Sequence, residues 1–289
     1  MYKYSFIIPH KNCPGLLKRC VDSIPNRKDV QIIIIDDNSD LEKRPVLDRE
    51  GLEVVLLDAN SSKGAGRARN VGLEKAKGEW LLFADADDYY VDGFLNILDK
   101  YANSNCDVVY FNFLYKDGTT GKDLLLPSIT KYFIGYDGDK ESQDQIRFHH
   151  KFPWTKMVMR SFISKNGIHF EETPNGNDIF FSMSVGYFAR VFLVEKEALY
   201  VYLKNENSLV NSKNKPVSSH ICKITHSIQL NNFYKFIGHP EWTTRFFNII
   251  RRHINEYGVT IVFYLFLRWP EIWKKRMDWV EFFQNKRFL

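Results

Sequence analysis

Long apolar runs are missing from this sequence. The most hydrophobic stretch, residues 258–267, is ten residues long, well short of the ~18 that a membrane-spanning helix needs. The first apolar run is broken at Pro9, too soon for a secretory leader. Cysteine is scarce, and Cys13, Cys20, Cys106 and Cys222 show neither a CxxC pair nor a metal-ligand spacing; they read as reduced thiols of a cytosolic protein. A strong charge of one sign is missing as well, and a net charge of +5 gives no reason to expect nucleic acid. Two phosphate-binding loops are also absent. Gly64-x-Gly66-x-x-Arg69 carries arginine where the dinucleotide fingerprint has its third glycine, and no Gly-Lys-Ser/Thr triplet occurs, which removes the Walker-type loop.

What is present is organised around Gly78-Glu79-Trp80-Leu81-Leu82-Phe83-Ala84-Asp85-Ala86-Asp87-Asp88-Tyr89. Trp80 to Ala84 is short, unbroken and apolar, so it reads as a buried strand. It runs directly into three carboxylates. Like charges this close repel unless a cation or water screens them, and Mg²⁺ or Mn²⁺ takes carboxylate oxygens together with substrate phosphates. One reading is a metal-assisted diphosphate site at the C-terminal end of a strand, where open α/β sheets bind ligands. The other is an acidic, solvated turn that opens the next helix.

The chain before and after it supports an α/β sheet. Tyr4 to Ile8 is a strand ending at Pro9; Asn12 is placed to cap a helix carrying Leu16, Leu17, Cys20, Val21 and Ile24. Val30 to Ile35, apolar except for Gln31, fits a strand covered on both faces and ends in Asp36-Asp37-Asn38-Ser39-Asp40. Leu52 to Leu57 is a third strand, and Lys63 to Lys77 a helix opened by Gly64-Ala65-Gly66, with Arg67 and Arg69 beside an N-terminus that favours anions. This is β-α-β repeated, the pattern of a doubly wound sheet. Two strands ending in aspartates then point them at one crevice.

Further on, Asp92 to Tyr101 reads as a helix and Asp107 to Tyr115 as a strand before an Asp117-Gly118 turn. Residues 116–150 read as a loop region over the crevice. Asn177 or Asp178 is placed to cap a helix starting at Ile179, and Val191 to Val194 and Ala198 to Leu203 read as two strands. Beyond about 216 the pattern becomes helical: His220 to Phe236, Thr243 to Tyr257, an apolar segment ended by Arg268-Trp269-Pro270, and a helix from Glu271 to Phe283. Residues 241–289 hold nine basic against five acidic residues among many aromatics. Such a tail suits the surface of an anionic bilayer; a helical subdomain with solvated Lys and Arg is the alternative.

Phe6-Ile7-Ile8-Pro9 with Asn12, Ile35-Asp36-Asp37-Asn38-Ser39, Gly64-Ala65-Gly66-Arg67-Ala68-Arg69-Asn70-Val71-Gly72, and Gly78-Glu79-Trp80 through Asp88, in that order, resemble glycosyltransferase family 2. The resemblance covers residues 3 to about 115, weakens through the middle and is absent from the last 70 residues or so. It implies a GT-A fold (a Rossmann-like, mostly parallel sheet) over 1–215, followed by a helical region over 216–289. It also implies an inverting transferase of bacterial surface-polysaccharide type. Such an enzyme uses a nucleotide-sugar donor, usually a UDP-sugar, with Mn²⁺ or Mg²⁺, and a glycan or lipid-linked acceptor. By position, Pro9 and Asp37, or its neighbour Asp36, would line the nucleoside pocket; Gly66 and Arg69 would lie near the base or diphosphate. Asp85 would meet the ribose and Asp87 the metal. The family's Glu-Asp pair is Asn177-Asp178 here, which leaves Asp178 as the base and changes its neighbour. Trp154 and Lys156 match a Trp-x-Lys that would face the acceptor, and Asn177 would lie on the acceptor side too. The cytoplasmic side of a membrane is the implied location. Two other readings are a nucleotidyltransferase, which Pro9-His10-Lys11-Asn12-Cys13 does not suit, and an inactive binding module. Oligomeric state and sugar stay open, and no metal ligand is assigned among His149, His150, His169 and His226.

Overall fold

A strand that is apolar at nearly every position must be covered on both faces, and the computed structural model, which describes residues 1–124, 130–205 and 216–286, puts two such strands at the centre of a sheet. They are β1 (Tyr4–His10) and β2 (Val30–Asp36). Alternate residues serve opposite faces. Phe6, Ile8, Ile32 and Ile34 join one core, while Ile7, Ile33 and Ile35 join the other. Gln31, the polar residue inside the apolar run of β2, is 3% exposed. Its amide oxygen accepts from Ser5 Oγ at 2.6 Å and from the Lys77 backbone N–H at 2.8 Å, so burial leaves that oxygen satisfied.

β3 (Leu52–Leu56) flanks β2, and β4 (Trp80–Phe83) flanks β1; all four strands run parallel. The remaining strands are β5 (Tyr89–Tyr90), β6 (Val108–Asp117), β7 (Lys156–Met159) and β8 (Phe192–Lys204). The eight-stranded order is β3-β2-β1-β4-β7-β6-β8-β5. β7 is antiparallel to β4 and to β6, so the second half of the sheet is mixed. The order turns back between β1 and β4, which opens a crevice beyond their C-terminal ends.

α1 (Pro14–Asp22) follows β1, and α2 (Ala65–Lys75) precedes β4. α2 presses on the sheet where Gly72 faces Ile7: a Cβ there would lie 2.3 Å from Ile7 Cγ2. α3 (Phe94–Asp99), α4 (Lys131–Ile134), α5 (Lys140–His149), α6 (Arg160–Asn166) and α7 (Ile179–Phe188) complete this part.

Several sequence expectations change. Asn12 does not cap α1. It takes a left-handed φ of 56°, which asparagine tolerates, and its side-chain oxygen accepts from the Asp40 backbone at 2.9 Å, tying the loops after β1 and β2 together. Residues 116–150 are not all loop, because α5 is a full helix capped by Asp139, whose carboxylate accepts from Ser142 N–H at 2.7 Å. Residues 191–203 form one strand, not two. The polar Glu195-Lys196-Glu197 is absorbed as a register shift opposite Phe111–Phe113.

Contacts divide the chain into two compact units, Met1–Glu172 with Asn177–Ser208, and Thr173–Gly176 with Leu209–Leu289. The boundary expected at 215/216 borders residues 206–215, which lie outside the described ones. The second unit contains α8 (Val217–Phe236), α9 (Phe246–Tyr257), α10 (Thr260–Lys275) and α11 (Asp278–Lys286). Ile224, Ile249, Ile261, Leu265 and Ile272 form its apolar centre. Pro270 does not end α10 but lies inside it, where its missing N–H falls on a solvent-facing segment. The helix expected from Glu271 accordingly starts later, at Asp278.

Candidate active site

The parallel strands bring their acidic ends to one edge, and each aspartate there meets a different fate. Asp36 is fully buried. It accepts from His10 Nδ1 at 2.7 Å, from Ser39 N–H at 3.0 Å and from Ser39 Oγ. His10 Nε2 accepts from the Cys13 N–H at 3.2 Å, so the imidazole proton sits on Nδ1 and points at Asp36. Asp36 is therefore spent on bracing two loops. Asp37 is 5% exposed. One oxygen accepts from the Gly64 N–H at the start of α2, at 3.2 Å, with Lys11 Nζ at 3.8 Å. The other oxygen is buried without a partner, which a buried carboxylate does not tolerate cheaply. Pro9, half-buried, pairs with Ile35 in the same strand ends.

Arg69 rises from α2 into the crevice and is 6% exposed. Its two terminal nitrogens donate to Asp85 Oδ1 at 2.5 Å and to Asn177 Oδ1 at 2.9 Å, and its guanidinium lies 5.5 Å from the Phe170 ring centroid. One arginine thus joins the end of β4 to the segment before α7. Asp85 and Asn177 are brought together by it.

Gly66 is a close-packing position. A Cβ there would lie 2.1 Å from the Glu171 carbonyl and 2.9 Å from Asn177 Cβ. The glycine lets Glu171 and Asn177 close onto α2, beside Asp178.

Asp87 gives one oxygen to Asn205 Nδ2 at 2.8 Å. Burial, and then the charge of Asp85, push its carboxyl above the ordinary range. Asp88 is enclosed, accepts from Tyr200 Oη at 3.0 Å and from Leu203 N–H at 2.8 Å, and is held well above the ordinary range, chiefly by burial. Asp88 is thus a strut and Asp87 the carboxylate left for a ligand. A carboxylate donor such as Asp87, without imidazole or thiolate beside it, suits a hard divalent cation. Such a cation would relieve the repulsion that raises Asp87.

Asp178 is the N-cap residue of α7, one of the two positions expected, but its side chain makes no capping hydrogen bond. Burial raises the Asp178 carboxyl above its usual range, against the pull of Arg69. Two lysines face it electrostatically. Lys151 is lowered to about 8 and Lys156 to about 7, both by burial and both partly restored by Asp178.

Lys156 does not line a surface. It is fully buried, and its ammonium donates to the carbonyls of His150 at 2.8 Å and Phe152 at 2.5 Å. Trp154 is 3% exposed, stacked on Tyr200 and Phe152 with centroids 4.7 Å away in each case. Neither residue offers an open face to an acceptor; both back the site from within the core.

Tyr200, Asn205 and Lys151 carry parts of the site that sequence reasoning missed. Tyr200 accepts from the Asp85 N–H at 2.9 Å while donating to Asp88. It lies 115 residues from Asp85, in a strand of ordinary composition, so no local signal could have found it.

Residues 5–167 match the profile of the family described as glycosyl transferase family 2. The chain is 27% identical over 217 residues to the putative glycosyltransferase EpsH of Bacillus subtilis, covering 71% of this chain and 62% of EpsH. It is 34% identical over 131 residues to a GalNAc(5)-diNAcBac-PP-undecaprenol beta-1,3-glucosyltransferase of Campylobacter jejuni, covering 43% of this chain and 42% of that one. It thus spans less than two thirds of either relative. Residues 1–349 of S. aureus TarS superpose with a TM-score of 0.61 at 18% identity, over 96% of this chain and 81% of that one. The TarS complex with UDP-GlcNAc gives 0.59 at 20% identity, over 97% and 81%. At such identity the likeness shows the fold, which is GT-A.

Proposed function

This chain belongs to glycosyl transferase family 2, and from that premise we propose that it transfers a sugar from a nucleotide-sugar donor, a UDP-sugar first of all, to a hydroxyl of a glycan or lipid-linked acceptor. The pathway is bacterial surface-polysaccharide synthesis, and the transfer inverts the anomeric centre. The observation that carries the proposal is Arg69, which binds Asp85 on one side and Asn177 on the other. That bridge sets the donor-side carboxylates beside Asp178 at the strand ends.

In this reading the unpartnered oxygen of Asp37, with Pro9, receives the nucleoside. Asp85 meets the ribose, and Asp87 holds Mn²⁺ or Mg²⁺, which when bound neutralises charge on the diphosphate. Ionised Asp178 accepts the proton of the acceptor hydroxyl. The hydroxyl oxygen forms its bond to the anomeric carbon as the bond to the diphosphate oxygen breaks, and the electron pair leaves with the nucleoside diphosphate. A single carboxylate base on the face opposite the leaving group gives inversion. Arg69 supplies fixed positive charge near the diphosphate. Trp154 and Lys156 support the acceptor side from beneath.

The acceptor's lipid suggests a membrane surface, and α10 supports it. Ile261, Leu265 and Ile272 are buried, yet Val262, Phe263, Phe266, Leu267 and Trp273 are exposed, Phe266 at 78%. Arg276 stacks 3.7 Å over the Trp273 ring, with Lys274 and Lys275 beside it. No helix among the described residues is long and apolar enough to span a bilayer. A helix with an apolar open face flanked by cations suits the plane of an anionic leaflet.

Calorimetric titration of UDP, with and without Mn²⁺, into wild type and Asp87→Asn tests the donor site. Metal-dependent binding that weakens in the variant is expected. UDP binding that ignores both metal and Asp87 would overturn the site, and binding without turnover of any UDP-sugar would favour a binding module, which the change to Asn177 beside Asp178 allows.

A further inference from the structure

The helical unit holds a polar cluster that sugar transfer does not use. His220 stands near the start of α8 and His253 on α9, and their Nδ1 atoms face each other at 3.0 Å. Glu256, one turn beyond His253, brings Oε2 to 3.9 Å from His220 Nδ1. One ligand atom from each of the three residues lies within 4.8 Å of the other two. The histidines are 3% and 4% exposed, while Glu256 opens to solvent. The two rings cross at 86°, so the nitrogens meet edge to edge.

Two imidazole nitrogens in that position share one proton. Protonating both would put like charges together in a buried place. A divalent cation takes the place of the shared proton and turns the contact into two bonds. An ion held tetrahedrally at about 2.0–2.2 Å separates its ligand atoms by roughly 3.3 Å. The 3.0 and 3.9 Å separations fall on either side of that value and all three ligand atoms lie within 4.8 Å of one another, so side-chain shifts on the order of 1 Å close the site.

We propose that His220, His253 and Glu256 bind a zinc-class divalent cation, with water in the fourth position, and so cross-link α8 to α9. Imidazole nitrogens with one carboxylate select such an ion over Mg²⁺ or Ca²⁺, which prefer all-oxygen ligands. Lys223 and Arg252 carry positive charge that disfavours a protonated His253, and Glu256 supplies the counter-charge. The site differs in kind from Asp87, which offers oxygen only. Its role is structural, since it ties together two helices already joined through Ile224 and Ile249.

The test uses the full chain stripped with chelator, equilibrated with Zn²⁺, desalted and assayed for metal. About one zinc per chain is expected, with a rise in unfolding temperature from binding to the native state alone. His253→Gln should abolish retention, together with the visible ligand-field bands of a Co²⁺-loaded sample. Glu256→Gln, at an exposed position that does not endanger folding, should weaken zinc binding roughly tenfold or more. Asp87→Asn should retain the ion. Wild type that retains no zinc, equal retention in Glu256→Gln, or loss confined to Asp87→Asn would each overturn the proposal.

Discussion

Asp178 carries the sharpest chemical consequence of the site. A base works only when ionised, and burial raises this carboxyl while Arg69 lowers it. The acid limb of kcat/KM is therefore expected above the ~4 of a free aspartate. Arg69→Met removes the opposing charge and should move that limb to still higher pH; a limb that stays put or moves down would separate Arg69 from the base. Asp178→Asn should cut kcat by about 10²–10⁴ with UDP affinity kept. The same substitution bears on stability. A carboxyl whose folded pKa is raised favours the native state below its unfolded value of 3.8, and that advantage is lost as pH rises through the folded pKa. At neutral pH the asparagine variant should then melt about 2 °C higher, read by calorimetry in the absence of metal. Lys156 gives the opposite sign of effect. Its ammonium is enclosed by the His150 and Phe152 carbonyls, with Ser182 Oγ at 3.4 Å. Lys156→Met strands those acceptors and should cost about 2 kcal/mol in urea unfolding. Unchanged stability with a raised acceptor KM would return Lys156 to direct acceptor contact.

Elements decide where these residues meet. Helix α2 approaches Glu171 and Asn177 so closely that Gly66 has no room for a Cβ. Gly66→Ala should push Asn177 and Asp178 outward, lowering stability by about 1–3 kcal/mol and kcat with it. A Gly66→Ala enzyme with wild-type kcat would show that this close approach does not matter. The parallel half of the sheet was legible because Tyr4–Ile8, Val30–Ile35 and Trp80–Ala84 are near-continuous apolar runs, and their aspartates mark the ends. Helix α5 was not legible. Its sequence Lys140–His149 is mostly polar, and it buries only Ser142, Asp144, Ile146 and Phe148, too thin a stripe to stand out from loop. The split reading of residues 191–203 failed for a related reason: Glu195, Lys196 and Glu197 look like a turn, yet a bulge absorbs them without ending the strand. The Arg69–Asn177 bond spans 108 residues, and only the family pattern hinted at it; that Arg69 is its partner is a fact of folding, not of local sequence.

At the scale of the whole molecule, charge and exposed apolar surface act together. The chain's excess of five positive charges is mild, but the tail over 241–289 holds nine basic and five acidic residues. The same stretch exposes Phe247, Phe263, Phe266, Leu267 and Trp273. Apolar insertion and attraction to anionic lipid differ in their response to salt. Screening at high ionic strength weakens the second and leaves the first. The chain should therefore float with vesicles of anionic phospholipid at low salt, only weakly with neutral ones, and partly lose the anionic binding in about 0.5 M salt. Phe263→Ser with Phe266→Ser should reduce flotation on both lipids, since it removes buried apolar area, while Lys274→Gln with Lys275→Gln should reduce it on anionic lipid alone. UDP affinity should stay unchanged in all of these variants, because none of the substituted residues belongs to the strand-end site. Equal flotation of wild type and both double variants would take α10 out of the membrane argument. The apolar face would then have to be covered by protein, which sedimentation of the same variants would reveal as a change in oligomeric state.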